Sequence, residues 1–372
     1  MMGGYEYTPD KINERSSELL KDKHNESALV MPKLFLDAGY DVTVTDMPLL
    51  DYQWEGFLSV FDNYPEIHAD TLFGKQMTQY YMEKNDGNSQ NKIPFDTICR
   101  DKIKFFSLVQ CIHPKLRSRF YSAATCDLKQ NQLGDSFIRT FSHLYFLRNL
   151  TDFTNDKPTY TFICNETPHE PTTLSVPEYD TLAQDTDIQN AYQPAYHSDD
   201  IRTNNSYQVN VAAMLQTAKW LNYLKANGVY DNTRIIIVAD HGADIVTADN
   251  LYPTIPTDSR IDPQTVNPLL MFKDFNSNGE LMINNSFMTN ADTLFLAKQG
   301  LNISDMNPFT GKKLEQNKAN GVKVYNENDW NHNRHKTKCK FEFNSTGNYI
   351  IRDNLFDPAN WTPFNPNETN KE

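Results

Sequence analysis

The stretch that decides the fold is Tyr230–Asp244, YDNTRIIIVADHGAD. A turn-forming Tyr-Asp-Asn-Thr leads into five apolar residues, Ile235–Ala239, and these run directly into Asp-His-Gly. Apolar residues on both faces of a short run predict a buried central strand over 234–239. In open parallel α/β sheets, ligands bind beyond the carboxyl ends of strands. Asp240 offers a hard carboxylate oxygen there and His241 an imidazole nitrogen, a pair that suits a divalent metal. Gly242 lets the backbone turn sharply beside it. Taken alone, the same three residues also fit a strand-ending turn with a capping Asp and an exposed His.

Upstream of that strand, residues 203–227 predict a long helix. Its buried face would carry Val209, Ala212, Ala213, Leu215, Ala218, Leu221 and Leu224, and Gly228 would end it. Residues 29–38 read as a helix stopped by Gly39, followed by an alternating strand over 40–46 (YDVTVTD). Residues 47–66 are loop-like. Helical spacing recurs over 72–84, 97–124 and 135–153, the last with Asp135 as N-cap and Phe137, Phe141, Leu144, Tyr145 and Leu147 apolar. TYTFIC (159–164) reads as a buried strand, followed by a long polar loop to about residue 200. Residues 268–272 predict a strand and 291–299 a helix stopped by Gly300.

This alternation predicts an α/β fold, a three-layer α/β/α sandwich on a mainly parallel sheet. After about residue 315 the chain turns rich in Asn, Asp and aromatics, and FEFNSTGNYIIRD (341–353) suggests a hairpin. The expected division is one domain over 1–315 and a small β-containing appendage over 316–372.

The 372 residues carry a net charge of −13, which argues against a nucleic-acid partner. A bound cation would supply the positive charge that an anionic substrate needs. Five widely spaced cysteines (Cys99, Cys111, Cys126, Cys164, Cys339) show no metal-ribbon or redox spacing, and their odd number leaves at least one unpaired. They read mostly as buried free thiols. Residues 1–24 are polar, with no signal-peptide core, and no apolar run reaches the ~18 residues of a membrane span. As written, the chain is expected in the cytoplasm.

The run from Asn210 through Gly242 resembles the sulfatase-like branch of the alkaline phosphatase superfamily. Within that branch it is most similar to lipoteichoic-acid-synthase-like and phosphoethanolamine-transferase-like proteins. The resemblance rests on a helix, then Leu224-Lys225-x-x-Gly228-x-Tyr230-Asp231-Asn232-Thr233, then a strand and D-H-G. It implies that Asp240 and His241 ligate one divalent metal ion (Mn, Zn, Mg or Ca). It implies that His169, in Thr167-Pro168-His169-Glu170-Pro171, sits beside the phosphate or sulfate of an anionic ester substrate. His197, in AYHSDD, is a further candidate for substrate contact, and Asp244 for orienting His241. His332 and His335, in NHNRHK, read as a solvated loop. LFLDAGYDVTV (34–44) and NPFTGK (307–312) also resemble family segments and are taken as scaffold.

The family reaction, transfer or hydrolysis of a phosphate or sulfate ester, uses a hydroxyl or modified-cysteine nucleophile and an acidic metal ligand near the first strand of the sheet. No residue before the Ala38-Gly39-Tyr40 unit fits either role. The resemblance therefore implies an N-terminal start lying upstream, with membrane helices and an extracellular setting. It leaves open a partner chain that supplies the first strand.

Overall fold

The computed structural model describes residues 1–53, 58–84, 132–169, 171–181, 200–243, 263–327 and 331–368. They divide into two compact units. The first comprises Met1–Thr71, Asp152–Cys164 and Trp220–Glu372, and the second Leu72–Thr151 and Asn165–Lys219.

The first unit opens with a 3-10 turn, Gly4–Tyr7, and helix α1, Pro9–Glu14, with its proline in the first turn where no amide donor is needed. Helix α2, Leu20–Asp37, follows. Its buried face carries Leu29, Val30, Met31, Leu34 and Phe35. The helix ends as the sequence predicts. Gly39 takes φ +89°, and the Tyr40 amide reaches back to the Phe35 carbonyl at 3.1 Å.

Strand β1, Asp41–Thr45, turns Val42 and Val44 fully inward. It pairs in parallel with β2, Ile67–Asp70, on one edge and with β3, Thr159–Ile163, on the other. The sequence reading placed no strand over 67–70. Of the four residues, IHAD, only Ile67 is a buried large apolar side chain, too weak a pattern to register. The core beneath this sheet gathers α2, β1 and Ile67, with Tyr160, Phe162 and Ile236 packed against it.

The strand read from RIIIVA is β4, Ile235–Val238. It pairs antiparallel with β5, Leu270–Lys273, with Ile237 opposite Met271. All four β4 residues are half-buried rather than buried. The physical reason is that, among the described residues, β4 has a partner on one edge only. The fold is α/β, with a parallel sheet, helices and smaller antiparallel sheets.

The polar opening, residues 1–24, is more deeply packed than its composition suggests. Met2, Tyr5, Ile12 and Leu20 are buried, and Lys23 is fully so. The Lys23 ammonium donates to the carbonyls of Ile12 (2.8 Å), Arg15 (2.9 Å) and Cys339 (2.7 Å). A buried cation is tolerated because its N–H groups are matched by carbonyl oxygens. NPFTGK has a clear packing role. Buried Asn307 donates to Glu6 Oε2 (2.7 Å) and the Tyr7 hydroxyl (3.1 Å), and its Oδ1 accepts from the Phe309 amide (2.9 Å).

In the second unit, helix α3 spans Met77–Lys84, so the first five residues of the predicted helix over 72–84 lie outside it. Helix α4, Gln132–Tyr145, starts before Asp135, which therefore does not cap it. The predicted single helix over 135–153 breaks at Phe146, and α5, Leu147–Leu150, follows. Phe137, Phe141, Leu174, Val209 and Ala212 form the core of this unit.

Helix α6, Ile201–Ala226, confirms the long helix but corrects its face. Val209, Ala212, Ala213 and Leu224 are buried, whereas Leu215 is exposed and Gln216 buried in its stead. Gln208, also fully buried, accepts from the Leu174 amide at 2.6 Å. Buried glutamines on a helix defeat a reading that looks for apolar residues alone.

Helix α7, Thr293–Lys298, lies within the predicted 291–299. The expected hairpin over 341–353 is replaced by a three-stranded antiparallel sheet. Its strands are β6, Val322–Val324, β7, Tyr349–Ile351, and β8, Trp361–Pro363. Tyr349, Ile351 and Trp361 cluster together, so the pairing is drawn to distant partners rather than to the adjacent FEF. Helix α8, His332–His335, carries a second correction: His335 is fully buried, its Nε2 2.7 Å from Glu327 Oε1. Cys164 and Cys339 are half-buried thiols outside any disulfide; the other three cysteines, and the helix predicted over 97–124, lie outside the described residues.

Candidate active site

Strand β4 and its exit are held from three directions. At its start, Arg234 sends Nε (3.0 Å) and Nη2 (2.7 Å) to Asp274 Oδ1 and Nη1 to the Ala297 carbonyl (2.9 Å), tying the strand to β5 and α7. At its exit, the Ala239 amide donates to Leu269 O (2.9 Å) and the Gly242 amide to Thr265 O (2.9 Å). From the third side, the Asn290 side-chain amide donates to Ala239 O (3.0 Å) and Asp240 O (2.6 Å).

Gly242 is needed for the close approach that this exit requires. A Cβ there would collide with the backbone carbonyl of Gln264. The sequence reading assigned Gly242 a sharp turn; its φ is not left-handed, and the close approach of the 264–267 backbone is what requires a glycine.

The side chains of Asp240 and His241 point into solvent, 76% and 64% exposed. Asp240 Oδ1 accepts from the His241 amide at 2.9 Å, which fixes the carboxylate. His241 Nδ1 lies 2.7 Å from the Gly242 carbonyl. A carbonyl can only accept, so Nδ1 is the ring nitrogen that donates here, and Nε2 is the one left facing away from the backbone. Nε2 stands 3.6 Å from Asp240 Oδ2. Two ligand atoms on one tetrahedral ion, at the usual 2.0–2.2 Å bond lengths, lie about 3.4 Å apart. The donor set therefore fits a divalent cation in element type and spacing. It is a pair: among the described residues, no group of three His, Cys, Asp or Glu side chains is placed to hold an ion.

His169 belongs to the second unit, whereas Asp240 and His241 belong to the first. It closes a short 3-10 turn, Thr167–His169, and its ring is exposed. Asn165 builds that turn. Its Oδ1 accepts from the Thr167 amide (3.0 Å) and its Nδ2 donates to Thr140 O (2.9 Å), anchoring the segment to α4. The sequence reading missed Asn165, although an Asn two residues before a Thr-Pro pair is an Asx-turn signal. It also missed Asn290, whose contact with Asp240 spans 50 positions and leaves no local trace. His197 and Asp244 lie outside the described residues.

A second distorted stretch follows β1. Asp46, Leu49, Asp51 and Tyr52 all adopt φ between 51° and 57°. Reciprocal bonds hold part of it, with Asn25 Nδ2 donating to Asp51 Oδ1 (2.8 Å) and the Asp51 amide to Asn25 Oδ1 (2.9 Å). Non-glycine residues rarely occupy this region without support from their surroundings.

No helix among the described residues is long and apolar enough to cross a membrane. No curated protein and no solved structure matches the chain significantly. A family model described as Sulfatase matches residues 16–294, well over half of the chain and inclusive of β1 through β5, His169, Asp240 and His241. The chain belongs to the sulfatase family, with its α/β alkaline-phosphatase-like fold.

Proposed function

We propose that this chain carries the metal-binding part of a phosphoryl- or sulfuryl-ester transferase or hydrolase, acting on lipid head groups or glycans of the cell envelope. Asp240 and His241 would hold one divalent ion. His169 would donate from its imidazole to a non-bridging oxygen of the ester. When bound, the cation neutralises charge that gathers on those oxygens. The attacking oxygen comes from a group other than these three.

The single observation that carries the reading is the pairing of two different donor types at the exit of β4. His241 Nε2 stands 3.6 Å from Asp240 Oδ2, about the separation of two ligand atoms on one tetrahedral ion. The resemblance of LKANGVYDNT and D-H-G to lipoteichoic-acid-synthase-like proteins supports lipid head groups or cell-envelope glycans as the substrate class, as phosphate or sulfate esters.

The test is hydrolysis of aryl phosphate, aryl sulfate and bis-aryl phosphodiester esters in Mn²⁺, compared with Asp240→Ala. Turnover that needs both the ion and Asp240 is the expected result. Mn²⁺ binding without turnover of any of the three would instead favour a non-catalytic metal- or anion-binding domain on the same fold.

A further inference from the structure

We propose that Asn290 is the positioning residue of the Asp240–His241 turn. The inference rests on reading these two as metal ligands. Both protons of the Asn290 amide are spent on consecutive carbonyls, Ala239 O and Asp240 O, where β4 ends. The partners are both carbonyls, so only the amide nitrogen can face them. The contact fixes the Asp240 peptide plane, and with it the directions in which the Asp240 carboxylate and the His241 ring leave the backbone.

Asn290 is itself held firmly. It is the first residue of the 3-10 turn Asn290–Asp292, which enters α7 through a capping box. Thr289 Oγ1 accepts from the Ala291 amide (3.2 Å), and Asp292 Oδ2 accepts from the Thr289 amide (2.8 Å). Asp292 is fully buried and takes the Lys318 ammonium (2.8 Å) and the Gln316 amide (3.1 Å). The Thr289 hydroxyl donates to the Tyr5 hydroxyl at 2.9 Å. The metal-facing turn is thus braced through Asn290 by residues from the beginning of the chain and from 316–318.

A residue supporting a ligand through hydrogen bonds typically contributes 10–100-fold to metal affinity. Two variants separate positioning from space filling. Asn290→Ala removes the amide; Asn290→Asp keeps the size but turns a carboxylate onto two carbonyl oxygens. Amide hydrogen exchange on the full, metal-free chain is read first. The expected result is exchange at His241 and Gly242 about 10-fold faster in both variants, with Ile235–Val238 unchanged. Asn290→Asp behaving like the wild type would overturn the proposal.

Mn²⁺ titration of the same proteins is read second, beside Asp240→Ala. The expected loss for both Asn290 variants is about 10–100-fold. If Asp240→Ala weakens Mn²⁺ and neither Asn290 variant does, the positioning role is overturned and the metal reading stands. If Asp240→Ala leaves Mn²⁺ affinity unchanged, the metal reading fails, and the exchange result alone decides whether Asn290 holds the turn.

Discussion

Gly242 and Gln264 approach so closely that the α-carbon of one leaves no room for a side chain beside the carbonyl of the other. The contact presses the Asp-His-Gly turn onto the 264–267 segment, where the Gly242 amide also donates to Thr265 O. Gly242→Ala must push these backbones apart. Overpacking of this kind costs about 1–3 kcal/mol. Urea unfolding should show that loss, together with weakened Mn²⁺ binding; an unchanged midpoint would mean that the two segments part freely.

Lys23 joins three chain segments through one ammonium. Lys23→Met keeps the stem but leaves the carbonyls of Ile12, Arg15 and Cys339 without this donor. Ile12 O and Arg15 O keep the Arg15 and Glu18 amides (3.2 and 3.4 Å), so the penalty falls mainly on Cys339 O, and relief of a buried charge offsets part of it. A loss of about 1–3 kcal/mol is expected in denaturant unfolding. A variant as stable as the wild type would show that water replaces the ammonium.

His24 gives the protein an acid limb. Burial holds the pKa of its imidazole below the usual value of 6.5, ahead of a smaller opposing contribution from its bond to the Pro48 carbonyl. The ring stacks obliquely on Tyr52, with centroids 4.8 Å apart. The unfolded chain then binds more protons than the folded one below about pH 6.5. This contribution to stability is complete above that pH and is lost as pH falls from there through the lower folded-state pKa. His24→Asn should flatten the decline of the melting temperature between pH 6.5 and 5. An identical decline in the variant would assign the acid limb to other groups.

His169 is expected to act on the substrate and not on the ion. His169→Ala should lower turnover of a phosphodiester about 10²–10⁴-fold, the range for a positioned proton donor. Mn²⁺ affinity should stay at the wild-type value. A parallel fall in both would mean that His169 supports the metal.

How much of this was legible in the sequence depends on the range of the interaction. Gly39 ending α2, the β1 alternation and the Ile235–Val238 run are short-range patterns, and the sequence reading located all three. The Asp-His-Gly turn was legible because strand, turn and donor atoms are contiguous. The half-burial of β4 was not, because strand neighbours are set by topology. His335 was misread, and Gln208 was left off the buried face of its helix, because such polar residues are hidden through distant partners, Glu327 for His335 and Leu174 for Gln208. Asn290 belongs to the same class, a side chain whose meaning lies 50 positions away.

The central claim is that Asp240 and His241 together hold a divalent cation. The most direct measurement is a titration of the full chain with Mn²⁺, following the free ion by electron paramagnetic resonance, for the wild type, Asp240→Ala and His241→Ala. The account predicts one bound Mn²⁺ in the wild type and affinity lowered at least about 100-fold in each variant, since each removes one of two ligands. Equal binding by all three proteins, or none by the wild type, would contradict it.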